Sequence, residues 1–527
     1  MDIVRNAMKL RRQFAIGIGL LAAQVPFVLT RHLQEDAYIT FRCSMNLVAT
    51  GVYGYNVGER VSASTSHLSV LMVALVRLVA GAYFITATQA LYGIATLVGL
   101  YLMTTAVVRD SRHHVWAWTA ISLLPVSLMV AYGGMETALV VLLTGVVLRC
   151  TYEPRPNGWT GTAFLLLAWA RPDAVALGVI TIVAATAFGN RSMRAAATYG
   201  ALLASGAASW LLFNRLYFGV FLPQSIRGKA AVWMPSTMHD ALFGSVARLR
   251  EVFFGHGPAL GIFTPIATKY LSLLSVPACL IVAGTAVALA ARPAKFDAAR
   301  PAVVALAGVA FVMPLAYAIG GAMAPWYFWP SALAGWLLVV VGCSAAIARQ
   351  QGGRRRLACA ACAAVLGSLV AGQWLYAASW GTQEHLYRGG IGDEIRRLAS
   401  AGDTLLLEPA GYVPFHAQLW TWDEIGVTSP QVTSYRLKYG PRWWIRFVED
   451  IAPTFLLERD HLLVHRTLDG YELSADEQAW FAGRYSRIRV FRYEPDRLRP
   501  PGLMRFAARF GSARDYYLYR RIGGPPQ

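Results

Sequence analysis

The chain has 527 residues, 56% hydrophobic and only 15% charged, with a mean hydropathy of +0.43. Several apolar runs exceed the roughly 18 residues needed to cross a bilayer, which excludes a soluble globular protein and makes the chain a polytopic membrane protein. The net charge of +19 lies in short arginine-rich loops between those runs, so it reads as positive-inside bias and affinity for anionic lipid or phosphate, not for nucleic acid.

Lys9, Arg11 and Arg12 precede the first apolar run, Phe14 to Thr30. They place the N-terminus in the cytoplasm, and with no clear cleavage site the run reads as a first span. The loop 31–66 then emerges outside, beginning E-D-A-Y-I-T-F-R. Two adjacent carboxylates, Glu35 and Asp36, cost a few kcal/mol if they dip into hydrocarbon, so chemistry retains them more readily than packing does. Glu35 to Val48 suits a short helix on which Glu35, Tyr38, Arg42 and Asn46 share a face, with Asp36 about 100° round. Gly51 and Gly54 end it, and Val57-Gly58 reads as a turn. The competing reading is an amphipathic surface helix whose acids pair with Arg42 and Arg60.

His67 to Ala82 is apolar but carries Arg77, and reads as a juxtamembrane or re-entrant helix. Phe84 to Val108 is a span ending at Arg109, Arg112 and His113. Val115 to Tyr132 returns outward to Gly133-Gly134-Met135-Glu136-Thr137. From Thr160 to Phe188 an over-long apolar run is broken by Arg171-Pro172-Asp173. Proline cannot continue the helix ladder and the charges need a polar cavity, so two shorter helices meeting at an outward-facing pocket are predicted. Ala195 to Phe213 returns outward, and Asn214 to Pro265 is predicted to be an external loop. Spans follow at Ile266 to Ala291, Ala302 to Ile319, Phe328 to Ala348 and Leu357 to Ala378, with Trp326 and Trp329 placed in an interfacial aromatic belt. The loop charges alternate as about eleven crossings require.

After Ser379 charges become dense and nearly balanced. T-L-L-L-E, P-T-F-L-L-E and R-I-R-V-F-R-Y read as strands and Ile391 to Ala401 as a helix. The fold class is therefore mainly α: a transmembrane module over 1–380, then a periplasmic α/β domain over 381–527. Cys359 and Cys362 form a C-x-x-C inside an alanine-rich span and read as packing residues. No His/Cys cluster has zinc spacing.

The polar groups that topology leaves unexplained all fall on the outer face: Glu35, Asp36, Glu136, Arg171, Asp173, Arg215, Arg227, Lys229, Trp326 and Tyr327. Moving a group from a lipid phosphate to a hydroxyl needs a base for the hydroxyl and cations for the departing phosphate. A juxtamembrane carboxylate supplies the first. Arginine and lysine at head-group depth supply the second. Each has a plainer alternative: Arg171 and Asp173 a structural ion pair, Glu136 a helix cap, Lys229 a snorkelling surface lysine.

E-D-A-Y-I-T-F-R, then Y-N-V-G-E-R-V and T-S, resembles the first periplasmic loop of bacterial polytopic glycosyltransferases with the GT-C fold. That family includes the mycobacterial terminal arabinofuranosyltransferases. Its members usually show D-D-A-Y-I-S-F-R-Y-A, then Y-N-P-G-E-R-V-E-G-Y-T-S-P-L-W. Here Glu35 replaces the first Asp, Val57 the Pro, and Ser66-His67-Leu68 stands where S-P-L is usual. The resemblance recurs at G-G-M-E-T, at R-P-D, at R-L-Y-F-G-V-F-L-P-Q-S-I-R-G-K and at E-P-A-G-Y, which carries Glu408 and Tyr412.

It implies a plasma-membrane glycosyltransferase using a polyprenyl-phosphate sugar, with transfer to an envelope glycan or glycolipid on the periplasmic side. Asp36 would be the base, with Glu35 orienting it or sharing a divalent metal, which two carboxylates alone do not show. Arg215, Arg227 and Lys229 would hold the donor phosphate. Arg42, Asn46, Glu136, Arg171, Asp173, Tyr327, Glu408 and Tyr412 would line the substrate site. The rival reading is a transporter or flippase of an envelope lipid, which broken helices and buried charge also suit.

Overall fold

The computed structural model describes residues 2–108, 111–153, 157–189, 191–233, 238–254, 275–291, 299–321, 324–459, 471–502 and 504–523. In chain order the helices are α1 (Asp2–Leu29), α2 (Ala37–Thr50), α3 (His67–Ala80), α4 (Phe84–Val107), α5 (Ser111–Ser122), α6 (Pro125–Tyr132), α7 (Thr137–Val147) and α8 (Gly158–Ala170). There follow α9 (Ala174–Phe188), α10 (Met193–Phe213), α11 (Gln224–Trp233), α12 (Met238–Phe254), α13 (Ser275–Ala290), α14 (Arg300–Gly320), α15 (Trp329–Ala348) and α16 (Gly352–Gly381). The C-terminal part runs α17 (Gly389–Leu398), β1 (Thr404–Leu407), α18 (Tyr412–Ala417), β2 (Trp420–Asp423), α19 (Pro430–Tyr439), α20 (Trp443–Ile451) and β3 (Phe455–Glu458). It closes with α21 (Ala475–Arg484), β4 (Tyr485–Phe491), α22 (Pro495–Leu498), α23 (Met504–Ala508) and β5 (Tyr516–Arg521).

The chain forms two compact units. The first holds Met1–Leu29, Thr86–Trp210 and Met234–Trp374; the second holds Thr30–Ile85, Leu211–Trp233 and Leu375–Gln527. The loop 31–66 thus belongs with the C-terminal domain.

The first unit is a bundle of apolar helices, in which α14 packs between α9 and α15, and α7 packs on α8. Among the described residues, five helical segments of the chain are long and apolar enough to cross a membrane. A bent pair, His113–Ser122 with Pro125–Tyr132, makes a sixth, and five shorter apolar helices accompany them. Proline at the first turn of α6 sets the bend of 66°, so the run from Val115 to Tyr132 is a broken helix and not one straight span. The predicted break at Arg171-Pro172-Asp173 separates α8 from α9. The described part of 214–265 contains α11 and α12, neither of them a candidate span. One other expectation is corrected. Trp329 is buried at the start of α15, so it is not an exposed belt residue. Residues 255–265 and the first part of the expected Ile266 span lie outside the described residues.

In the second unit, α2 ends at Gly51, whose φ of 72° is the left-handed conformation that favours glycine. Ser66 caps α3 by accepting from the Ser69 amide, and His67 takes the first helical position, which suits the proline usual there. His67 then fills its place as a core residue, bonded to the Tyr53 hydroxyl and flanked by Phe213 and Phe218.

The C-terminal sheet has the order β2-β1-β3-β5-β4, with β2, β1 and β3 parallel and β5 and β4 antiparallel to their neighbours. Leu405–Leu407 and Phe455–Leu457 are continuous apolar runs because both faces are covered, as parallel strands require. Leu406 and Leu456 face Trp443, Trp444 and Phe447. Leu405, Leu407, Phe455 and Leu457 face Ile391, Ile395 and Val413. Strand alternation sorts the two sets. The exposed edge, β4, is blunted by Arg487 and Arg489.

Candidate active site

The chain passes into the second unit at Thr30, straight from α1, and at Leu375, inside α16. Those junctions lie side by side: a Cβ added at Gly381 would lie 2.0 Å from the Thr30 carbonyl oxygen, and His32 packs against Tyr376 and Trp380. Glu35 and Asp36 follow Thr30 within two turns of chain.

The two acids have opposite surroundings. Glu35 is saturated. Its Oε1 accepts from the backbone amides of Gly411 at 2.7 Å and Tyr412 at 3.0 Å, and its Oε2 lies 3.2 Å from Arg388 Nη1. Those amides open α18, in the loop that leaves the carboxyl end of β1, where open parallel sheets commonly build sites. A Cβ at Gly411 would stand 2.4 Å from the Glu35 carboxylate, so only glycine permits the seat. Arg388 is in turn held by Glu384 at 2.6 Å, four residues before it on a π-helical turn.

Asp36 is freer. It occupies the N-cap of α2 but makes no capping bond, and its side chain is 25% exposed. Among the described residues its side-chain partner is Lys229, with Nζ 3.3 Å from Oδ2. Lys229 rides on α11, which is clamped to the C-terminal domain. Gln224 donates to Gly426 O and Thr433 Oγ1, and a Cβ at Gly228 would lie 2.3 Å from the Gly426 carbonyl oxygen. That close approach sets where Lys229 can reach.

Arg42 and Asn46 do not face the acids. Arg42 Nε donates to Tyr55 O, Nη1 to Pro414 O, and Nη2 to Leu419 O and Asn56 Oδ1. Asn46 donates to Gly54 O and Tyr55 O. Both are spent on shaping the loop, because a buried guanidinium must satisfy its donors wherever carbonyls offer themselves. Tyr412 is likewise fully buried: its hydroxyl receives the Leu33 amide and its ring lies 4.0 Å from that of Tyr38. It fixes the chain before Glu35 and is not open to a ligand. Arg215 and Arg227 are exposed, and Arg215 donates to Gly219 O.

Glu408, Glu424 and Glu458 stand at the carboxyl ends of β1, β2 and β3. Glu408 pairs with Arg459, and Glu424 accepts from Trp444 Nε1. Burial pushes the Glu408 carboxyl up to about 7 against the pull of Arg459. Burial, together with facing Glu424, lifts Glu458 above the usual carboxylate range. A carboxyl raised on folding stabilises most below its unfolded pKa, and that contribution is lost as pH rises through the folded value. Thermal unfolding in detergent should therefore show stability falling by up to about 3 kcal/mol between pH 5 and 8. Glu408→Gln should reduce this slope, with Glu458 and the buried Glu384 carrying the rest; an unchanged slope would assign it wholly elsewhere.

The first unit holds a second polar cluster. Arg171 is only 3% exposed and grips Asp173 with two bonds, Nε to Oδ1 at 3.0 Å and Nη2 to Oδ2 at 2.6 Å. Glu136 lies 3.9 Å from Arg171, and the Tyr327 ring centroid is 5.3 Å from the guanidinium carbon. Tyr317, on α14, donates to Asp173. The four residues named from sequence are thus brought together around the helix break. Glu136 sits at the N-cap of α7 without a capping bond.

Both Glu35 oxygens are engaged, so the pair does not offer a metal two free carboxylates. Among the described residues no group of three or more His, Cys, Asp and Glu side chains could hold a metal ion.

The structure is similar over almost its full length to ArnT from Cupriavidus metallidurans bound to undecaprenyl phosphate. The two are 14% identical, with 98% of this chain and 99% of that one covered and a TM-score of 0.55. The chain has the GT-C fold. The apo state of the same ArnT gives 0.52 at 14% identity over 97% and 99% of the two chains. An oligosaccharyltransferase from Archaeoglobus fulgidus aligns at 11% identity over 84% of this chain and 68% of its own, with a TM-score of 0.47. A family model described as a domain of unknown function (DUF8728) matches residues 376–519, and no curated protein matches the sequence. Within this GT-C chain, sequence reasoning missed Arg388, Glu384, Arg459 and Tyr317. Only the Glu384–Arg388 spacing of four along one helix carried a local signal.

Proposed function

We propose that the protein is a membrane glycosyltransferase that moves a sugar from a polyprenyl-phosphate donor to an envelope glycan or glycolipid acceptor on the periplasmic side. The observation that carries this reading is the contrast between the two adjacent acids. Glu35 is locked by two amides and an arginine, while Asp36, one residue on, keeps an oxygen clear of any capping bond. A base must approach within about 3 Å of the proton it removes. Asp36 takes the proton from the acceptor hydroxyl as that oxygen attacks the anomeric carbon. The bond from the anomeric carbon to the phosphate oxygen breaks, and the lipid phosphate leaves with its electron pair. Lys229, with Arg215 and Arg227, receives that charge, and attack from the opposite face inverts the anomeric centre.

The lysine supplies the direct test. Lys229→Ala should weaken binding of undecaprenyl phosphate, the lipid seen in the ArnT structure, by roughly tenfold, the order expected for a partly solvated charge-assisted bond. Native mass spectrometry of the detergent-solubilised protein reads this. Unchanged affinity would remove Lys229 from the donor site.

Sidedness is tested separately. Gly381, packed against Thr30, cannot accept a cysteine, but Gly390 is exposed with nothing within 4 Å of an added Cβ. Gly390→Cys should react with an impermeant maleimide in intact cells whose outer membrane is permeable to it. Labelling only after lysis would put this domain in the cytoplasm.

A further inference from the structure

The short helix α23 turns Ala507 and Ala508 inward and Arg505 and Phe506 outward, and Arg509 and Phe510 follow it exposed. Ala507 and Ala508 are fully buried, while Phe506 is 53% and Phe510 70% exposed, their rings 5.2 Å apart. Arg505 and Arg509 flank them, both exposed and with no ion pair among the described residues. Two phenylalanines side by side in water are unfavourable, at about 25 cal/mol per Å² of apolar surface.

The place of this turn identifies what covers it. Gly511 packs on the end of α16: a Cβ there would lie 2.6 Å from Ser379 Oγ and 2.9 Å from the Tyr493 hydroxyl. The Tyr387 hydroxyl lies between Phe491 O at 2.9 Å and Arg514 O at 3.1 Å and ties the flanking segments down through its one proton. A helix rising about 1.5 Å per residue needs about 20 residues to cross about 30 Å of hydrocarbon. Counted from Leu357, after the Arg354–Arg356 run, α16 leaves hydrocarbon near Tyr376, one turn before Ser379. The aromatic pair therefore stands at head-group level.

We propose that Arg505, Phe506, Arg509 and Phe510 form an interfacial anchor that inserts two rings among the head groups of anionic phospholipids and binds their phosphates through the two arginines. Aromatic residues flanked by cations are the composition that interfacial helices use. A second copy of the chain is a poor occupant. Two phenylalanines cover a few hundred Å² at most, and a stable protein interface needs roughly 1,000 Å² or more. The anchor holds the C-terminal domain down on the bilayer.

Photocrosslinking tests this on the full-length protein. A p-benzoylphenylalanine placed at Phe510 keeps the aromatic shape at an exposed position. The probe protein is reconstituted in vesicles of phosphatidylcholine with about one-third phosphatidylglycerol, irradiated, and weighed by mass spectrometry. The expected result is a single-lipid adduct with phosphatidylglycerol enriched over its share. R505Q/R509Q should cut that enrichment at least about fivefold. An adduct joining two copies of the chain, no adduct, or an enrichment that R505Q/R509Q leaves unchanged would each overturn the proposal.

Discussion

Asp36→Asn should lower transfer by about 10²–10⁴-fold, the usual cost of losing a general base, while leaving expression and thermal stability near wild type. The two readouts separate because of how Asp36 is held. Its side chain makes no cap bond, and its pairing with Lys229 at 3.3 Å is partly solvated, an arrangement worth at most about 1 kcal/mol. Asparagine keeps the shape and can still accept from Lys229, so what disappears is the capacity to take a proton. Turnover in membranes, with melting temperature followed in detergent, checks both halves. Full activity would return Asp36 to a structural role.

Arg388→Met should be the most damaging single change to the fold of the second unit. Arg388 stands between Glu35 at 3.2 Å and Glu384 at 2.6 Å, and the Glu384 side chain is only 2% exposed. Removing one partner of a buried pair leaves uncompensated charge and typically costs about 3–5 kcal/mol. For a unit of this size that corresponds to roughly 10 °C in melting temperature. Adding Glu384→Gln removes one orphaned carboxyl, which burial already pushes toward its neutral form, and should restore part of the loss. If Arg388→Met melts like wild type, the arginine does not hold Glu35, and the explanation of why the two acids differ fails.

What could be read from the sequence was what short-range chemistry determines. The apolar runs of β1 and β3 announced themselves because both faces of those strands are buried. Pro172 announced the break between α8 and α9 because it cannot donate to the ladder. Lys229 stood out as a cation just past a span. The partners of Glu35 were hidden, because Arg388 lies 353 residues away and the amides of Gly411 and Tyr412 have no side-chain signature at all. Arg42 shows the opposite failure. Helical spacing put it on a face with Glu35, yet Glu35 precedes the first residue of α2 and the donors of Arg42 are drawn off by carbonyls as far along the chain as Leu419. Spacing gives a residue's direction, and tertiary packing decides what meets it there.

The central claim is that one of two neighbouring carboxylates reacts and the other positions it. The measurement that tests this most directly is complementation of a deletion strain with Asp36→Asn and with Glu35→Gln, the envelope glycans being read by mass spectrometry. Glutamine at 35 still accepts from the Gly411 and Tyr412 amides, so that variant should restore a measurable amount of the missing sugar, and Asp36→Asn should restore none. Restoration by Asp36→Asn with failure of Glu35→Gln would reverse the roles, and full restoration by both would contradict the claim.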